Sequence, residues 1–294
     1  MSHKRFDGIV LYEPSEQQLN SVVRQLILLE GAARAVVDNS VRASTQSRVD
    51  AAMEAASISV IRSRLGNVGT SGGLNQLASE AASQSCNWLH YLDQDSIIDD
   101  AYRVRLEATL PLSRAAIIGC VHIEPSHVQR SNSSSLREVT GGPEFTNSRM
   151  TISSGSAYRV STLLRVGGFD SRLFLDLVDH EFCLRVRRAG GQVLVDNRRT
   201  ILHPIGEHIK NVGPIGITTH PKWRRRLMWR NSILLAREYI FSFPGEVAKH
   251  LAVRIGETIL TASLCKDPSV ITAAILGTSD ALVSTRQSTH PWRP

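Results

Sequence analysis

The sequence predicts an α/β fold: a mostly parallel, mixed sheet flanked by helices, followed by a C-terminal helical appendage. Three observations carry this expectation. Through the first half, short apolar runs alternate with helical patterns, as βαβ units do. One apolar run, residues 88–92, ends in the acidic triplet Asp93-Gln94-Asp95. From about Trp223 onward the pattern is helical, with Ile233, Leu234, Ile240, Leu251, Ile255, Ile259, Leu260 and Leu264 among its apolar positions.

Taken in order, Ile9-Val10-Leu11 is the first expected strand. Leu19, Val22, Val23, Leu26 and Leu29 then form the stripe of an amphipathic helix. Residues 35–37 make a second strand ending in Asp38-Asn39-Ser40, and 57–61 a third. The glycine-rich stretch 66–73 reads as a flexible turn before a helix over 74–83, and 88–92 is the fourth strand. A further strand is expected over 115–121. Residues 126–148, rich in Ser and Asn, read as a long surface loop. Ser153-Ser154-Gly155-Ser156 leads into a helix containing Val160, Leu163 and Leu164, and Gly167-Gly168-Phe169-Asp170 is a turn. Residues 179–189 are helical and stop at Gly190-Gly191; short strands follow over 192–195 and 200–202. This divides the chain into a principal domain, 1–220, with halves of about 1–115 and 116–220, and a helical region, 221–294.

Bulk properties narrow the function classes. A chain of 294 residues can bury a large core, and 42% hydrophobic with 21% charged residues is a globular balance. No apolar run approaches the ~18 residues of a membrane span. Asp7 and Glu13 interrupt the apolar stretch behind the basic N-terminus, which is not the pattern of a signal peptide. A cytoplasmic location is therefore expected. Cys86, Cys120, Cys183 and Cys265 are widely spaced without a CxxC, so neither a disulfide framework nor a thiolate zinc site is indicated. The net charge of +7 favours anionic partners. Residues 222–230 hold five basic residues and two Trp with no acid. That composition suits a lipid headgroup zone better than nucleic acid; the alternative is a solvated basic helix whose Trp residues pack inward.

The candidate chemistry lies in acidic residues. Asp93 and Asp95, at i and i+2 after a buried strand, would point two carboxylates to one side. Such a pair suits Mg²⁺ or Mn²⁺, held together with substrate phosphates; the alternative is a strand-ending turn with solvated acids. Asp179, at a helix start, is placed either as a general base or as an N-cap. His203, after the last expected strand, either completes a metal site or simply packs. The 66–73 turn is neither GxGxxG nor a Walker sequence, against a dinucleotide oxidoreductase or a P-loop NTPase.

As an ordered set, these segments resemble family-2 glycosyltransferases of the GT-A fold, in the bacterial rhamnosyltransferase-like branch. The resemblance rests on Ile9-Val10-Leu11-Tyr12-Glu13-Pro14 (with Glu13 where Asn is usual), Val36-Val37-Asp38-Asn39-Ser40, Gly66-Asn67-Val68-Gly69 with Gly73 and Asn75, and Leu92-Asp93-Gln94-Asp95-Ser96. It continues through Ser153-Ser154-Gly155-Ser156, Val166-Gly167-Gly168-Phe169-Asp170, Leu173-Phe174-Leu175-Asp176, Asp179-His180-Glu181-Phe182-Cys183-Leu184-Arg185 and Arg230-Asn231, covering roughly residues 8–240.

The resemblance implies an inverting, metal-dependent transfer. Tyr12, Asp38, Asn39, Gly66, Asn67, Gly69, Asn75, Asp93 and Gln94 would contact the nucleotide sugar. Asp93 and Asp95, with His203, would hold Mg²⁺ or Mn²⁺. Asp179 would be the catalytic base, and Gly155, Asp176 and Glu181 would meet the acceptor. The implied donor is dTDP-L-rhamnose and the implied acceptor a lipid-linked or cell-surface polysaccharide. The protein would then sit at the inner face of the cell membrane through 221–240, with self-association through the helical tail and no nucleic-acid partner. The competing readings are a different donor such as UDP-galactofuranose, a non-catalytic glycan- or lipid-binding protein on the same scaffold, and a metal-dependent phosphohydrolase.

Overall fold

The computed structural model describes residues 4–31, 33–123, 143–203, 209–212, 215–218 and 220–284. They fall into two compact units, one up to His203 and one from Ile209. The second unit takes in residues 209–218, ahead of the boundary at 221 read from the sequence.

The first unit is built on an eight-stranded sheet of order β3-β2-β1-β4-β7-β5-β8-β6. Its strands are β1 (Arg5–Leu11), β2 (Ala33–Asp38), β3 (Ser59–Ile61), β4 (Trp88–Asp93), β5 (Ile117–Ile123), β6 (Phe145–Asn147), β7 (Ala157–Arg159) and β8 (Val193–Leu202). The first four are mutually parallel. β7 runs antiparallel between β4 and β5, β5 and β8 are parallel, and β6 closes the edge antiparallel to β8. The helices are α1 (Glu16–Leu29), α2 (Ala43–Ala55), α3 (Gly69–Ser83), α4 (Asp100–Thr109), α5 (Val160–Val166) and α6 (Val178–Arg188).

Alternation along the strands decides which helix covers which face. Ile9 and Leu11 join Leu19, Val22 and Leu26 of α1, Val49 and Met53 of α2 and Tyr102 and Leu106 of α4 in one core. Gly8 and Val10 point the other way, where a Cβ on Gly8 would meet Leu77 at 2.7 Å and one on Gly73 would meet Val10 at 2.7 Å. The glycines of the expected flexible turn are therefore largely helical: α3 begins at Gly69, before the expected start at 74. Close packing of α3 on β1, not a need for flexibility, explains Gly73.

Three further expectations change. β7 lies in the centre of the sheet but has only three residues, so its pattern is too short to read. Residues 145–147, expected in a surface loop, form edge strand β6; residues 124–142 of that loop lie outside the described set. The two short strands expected near 192–202 are one continuous β8. Its register against β5 shifts between Cys120 and Val121, and its polar Asp196 and Arg199 are fully buried. Asp196 is held by Arg105 and Thr109, so a turn-like sequence remains a strand.

The start of α2 is capped from a distance. Its N-cap residue, Arg42, makes no side-chain cap. Instead the Glu13 carboxylate accepts from the Val41 and Arg42 amides, each at 2.9 Å, and from Thr45 Oγ1 at 2.8 Å. Burial works to raise the Glu13 pKa, but these donors overcome it and hold the group at about 2.

The second unit contains a hairpin of β9 (Ile209–Val212) and β10 (Ile215–Thr218) and helices α7 (Lys222–Tyr239), α8 (Pro244–Leu264) and α9 (Ser269–Val283). α7 packs against both others. Among the described residues, no helix is long and apolar enough to cross a membrane.

Candidate active site

The parallel strands β1, β2 and β4 end on one side of the sheet, and the sequence-predicted donor residues follow those ends. Strand order reverses between β1 and β4, the place where ligands settle on such sheets. There Tyr12, half exposed, donates its amide to Gln94 Oε1 at 2.9 Å.

Asp38 closes β2 with its carboxylate buried. Oδ2 accepts from Arg62 Nε at 3.0 Å and Nη2 at 2.7 Å, and Oδ1 from the Ser40 amide at 2.9 Å. Asn39 donates to the Gly69 carbonyl at 3.0 Å, and Asn67 Oδ1 accepts from the Gly69 amide at 2.9 Å. Gly66 and Gly69 both have left-handed backbone, φ 74° and 69°. Gly66 faces open space, whereas a Cβ on Gly69 would collide with the Phe174 carbonyl. Asn75 joins α3 to the 169–171 turn, donating to the Phe169 carbonyl at 2.8 Å and accepting its amide at 2.7 Å.

The acidic corner forms differently from the expected strand pair. Asp93 is the last residue of β4, and the chain turns immediately, with the Ser96 amide bonded to the Asp93 carbonyl at 3.1 Å. Asp95 therefore reaches Asp93 from a turn, not along a strand face. The third member arrives from β8, whose end is bridged to this turn by paired Ile97–Leu202 backbone bonds. His203 follows directly. One ligand atom from each of Asp93, Asp95 and His203 lies within 4.8 Å of the others. His203 Nε2 is 3.8 Å from Asp93 Oδ2, and its Nδ1 is 3.6 Å from Asp95 Oδ1. Two carboxylates and an imidazole, with Asp95 exposed to solvent, form an oxygen-dominated donor set that fits Mg²⁺ or Mn²⁺.

Residues not singled out from the sequence hold this corner in shape. Tyr91, two before Asp93 and so on the same strand face, donates to Asp93 Oδ1 at 2.6 Å. Ser154 Oγ accepts the Asp93 amide at 2.9 Å and lies 2.6 Å from Ser96 Oγ, which meets His203 Nδ1 at 3.0 Å. Gln25 of α1 clasps the turn, donating to the Ser96 carbonyl and accepting from the Ile98 amide. The spacing of Tyr91 was a usable signal. Nothing local in the sequence brings Ser154 or Gln25 here.

Asp179 stands in the first turn of α6. It is not the N-cap: that position is Leu177, in left-handed backbone with φ 65°. Burial pushes the Asp179 carboxyl above the usual range, against the 2.8 Å bond its Oδ1 accepts from the His180 amide. Asp93 is pushed up as well, first by burial and further by the charges of Asp95 and Asp179, against the Tyr91 hydrogen bond and His203. Asp179 is thus within electrostatic reach of the acidic corner. Asp176 lies on the same segment, between two non-glycine residues with positive φ, Phe174 at 63° and Leu177 at 65°. Backbone held in sparsely populated regions concentrates at functional sites.

Two residues expected at the acceptor are buried. Glu181 is buried and bonded by Arg185 Nε at 2.9 Å and Nη2 at 2.6 Å. The helical spacing i, i+4 turns it toward Arg185, about 200° around the helix from Asp179. Gly155 is also buried; its carbonyl accepts from Tyr102, and a Cβ would collide with Cys120 Sγ.

No protein-family model matches the chain. It is 28% identical over 246 residues, 81% of each chain, to the dTDP-rhamnosyl transferase RfbF of Shigella flexneri. Among solved structures it is similar to S. aureus TarS, with a TM-score of 0.60 at 14% identity, covering 92% of this chain and 48% of TarS. The chain thus spans about half the length of that protein. Against TarS 1–349 in complex with UDP-GlcNAc, the TM-score is 0.60 at 12% identity, covering 92% of this chain and 79% of that one. GalNAc-T7 with UDP, GalNAc and Mn²⁺ matches at 0.53 and 13% identity, over 80% of this chain and 47% of its own. Sheet order and these likenesses agree on the GT-A fold, and the sequence is similar to that of a dTDP-rhamnosyl transferase.

Proposed function

We propose that the protein transfers L-rhamnose from dTDP-L-rhamnose, with inversion, to a lipid-linked or cell-surface polysaccharide acceptor. The carrying observation is the convergence of Asp93, Asp95 and His203 in one corner with Asp179 in electrostatic reach. The likeness to a protein named dTDP-rhamnosyl transferase supports the donor.

In this reading the acceptor hydroxyl oxygen attacks the anomeric carbon as the bond from that carbon to the diphosphate oxygen breaks. The leaving dTDP takes the electron pair, and Asp179 takes the hydroxyl proton. Burial raises the proton affinity of Asp179, which suits a general base. Asp93, Asp95 and His203 would hold Mg²⁺ or Mn²⁺, which when bound supplies Lewis-acid neutralisation of the diphosphate. Tyr91 and Ser154 fix Asp93, and Ser96 fixes the imidazole ring. Asp38, Asn39, Tyr12, Gln94 and the Gly66–Gly69 turn would line the nucleoside side, with Asn75 bracing the turn that follows α5. Asp176 would face the acceptor beside Asp179, with Gly155 and Glu181 acting as supports. The proposed place of action is the cytoplasmic face of the cell membrane, reached through the region that opens with 221–240.

A UDP-linked donor such as UDP-galactofuranose is the second reading, favoured by the likeness to a structure in complex with UDP-GlcNAc. A panel of dTDP- and UDP-sugars, with and without EDTA, scored by nucleotide release and thermal shift, separates the two. The expected result is EDTA-sensitive release from dTDP-L-rhamnose alone. Release from a UDP-sugar instead overturns the donor, and EDTA-insensitive release overturns the metal.

A further inference from the structure

α8 is arranged inside out. The side it turns inward is mostly polar: His250 Nε2 meets Ser232 Oγ at 2.9 Å, Thr258 Oγ1 accepts from Trp229 Nε1 at 3.1 Å, and Thr261 is buried, with Val247 the one fully buried apolar side chain. The opposite side exposes Ala248, Ala252, Val253, Ile255, Ile259, Leu260 and Leu264. At about 100° per residue these seven share roughly half the helix circumference, with Lys249 inside the arc, Glu246 in line with Leu264 at its margin and Glu257 just beyond. α9 repeats the theme. It buries Val270, Ala273, Gly277 and Ala281 and exposes Ile271, Ile275, Leu276, Leu282 and Val283, with only Thr272 and Ser279 among them.

The apolar face of α9 cannot be turned inward. A Cβ on Gly277 would collide with the Arg226 carbonyl of α7, and Arg226 pairs with Asp280 at 2.6 Å. Single exposed apolar residues are ordinary. Two adjacent helices that both bury the polar or small side and expose the large apolar one are not, and faces of this kind mark binding surfaces.

The charges around the rim identify what binds. The charges of Lys222 and Arg225, in the first turn of α7, help the Ser269 hydrogen bond lower the pKa of Asp267 in the turn joining α8 and α9, so they stand within electrostatic reach of it. Lys266 is exposed in the same turn, and Trp223 is 58% exposed one residue from Lys222. Basic side chains with an exposed Trp at the edge of an apolar face complement anionic headgroups over acyl chains. A second copy would cover the apolar arcs but brings its own Lys249 into the contact and only the marginal carboxylates Glu246 and Glu257 for those cations, whereas an anionic bilayer meets all of them with phosphates.

We infer that the outward faces of α8 and α9 seat the protein on an anionic bilayer, lying in the interface and not crossing it. The contact rests on the membrane location proposed above and moves its apolar part from 221–240 to 248–283. α7 itself is largely packed: Trp229 points inward, and only its first turn reaches the rim. The inference does not use the transfer chemistry, so the two fail separately.

The test is co-sedimentation of the full chain with phosphatidylcholine vesicles, with and without phosphatidylglycerol. Binding is expected to require phosphatidylglycerol, and the Ile259→Glu/Ile275→Glu variant should bind at least about tenfold more weakly. Lys222→Glu with Lys266→Glu should weaken binding and reduce its salt dependence. Thermal midpoints and nucleotide release should stay at wild-type values in every variant, since the changes are on the surface. Absence of binding to anionic vesicles, or equal binding by the Ile variant, overturns the inference. So does a concentration-dependent dimer in light scattering that the Ile variant dissolves, which assigns the face to a second copy.

Discussion

Asp179 shows how one residue carries both a chemical and a thermodynamic signature. Its raised pKa means that the folded protein favours the neutral carboxyl. The associated stability is full below the ordinary value of 3.8 and is lost as pH rises through the folded pKa. Asp179→Asn is therefore expected to abolish transfer, retain nucleotide binding, and leave the thermal midpoint at neutral pH equal to or above that of the wild type. In the wild type, kcat should fall as pH drops through the elevated Asp179 pKa. Normal turnover by the variant would remove Asp179 as the base. Ser154 is the complementary case, since it touches Asp93 and Ser96 but would not touch a metal. Outer partners of this kind typically alter metal affinity by about 10–100-fold. Ser154→Ala should lower Mn²⁺ affinity by that order in an EPR titration while the midpoint without metal moves little. The carboxylates were legible as acidic residues after an apolar strand. Ser154 was not, because its meeting with Asp93 is a long-range consequence of β7 lying beside β4.

At the scale of elements, the glycine turn and α3 show why the sequence reading stopped short. Gly66, Gly69, Gly72 and Gly73 within eight residues read as flexibility, yet three of the four lie in α3. Gly66 and Gly69 share left-handed backbone but differ in surroundings, which separates two physical roles. Gly66→Ala should destabilise by only about 1 kcal/mol, the cost of a Cβ in that region. Gly69→Ala adds a collision with the Phe174 carbonyl, and strain of this kind brings the expected loss to about 2–4 kcal/mol in urea unfolding. It should also lower kcat, because Phe174 begins the segment that carries Asp176 and Asp179. Equal losses at the two positions would show that the Phe174 contact carries no weight. Glu13 teaches the same lesson: it departs from the family pattern and caps α2 from 28 and 29 residues away in sequence, a role no local rule assigns.

At the scale of the whole first unit, a buried polar chain links β1, β4 and α4. Arg5 binds Asp7 at 2.8 Å, His90 meets Asp7 at 2.9 Å and Tyr102 at 2.8 Å, and Tyr102 donates to the Gly155 carbonyl at 3.0 Å. Burial drives the His90 pKa down to about 4, partly opposed by Asp7. As pH falls below 6.5 the unfolded chain takes up a proton that the folded chain refuses, so stability is full above 6.5 and declines toward pH 4. Urea unfolding across that window should show the decline, and His90→Gln should flatten it. An unchanged slope in the variant would assign the acid sensitivity to other groups.

Periodicity and composition were enough for the alternating α/β order, the parallel strands, the Asp93-Gln94-Asp95 turn and the helical C-terminus, because each is written within its own stretch of sequence. Only the folded chain decided the antiparallel β7 at the centre, the unbroken β8, the true start of α3 and the outward-facing apolar arcs of α8 and α9. Those depend on which segments become neighbours, and a side chain's partner across the fold leaves no periodic mark on its own stretch of sequence.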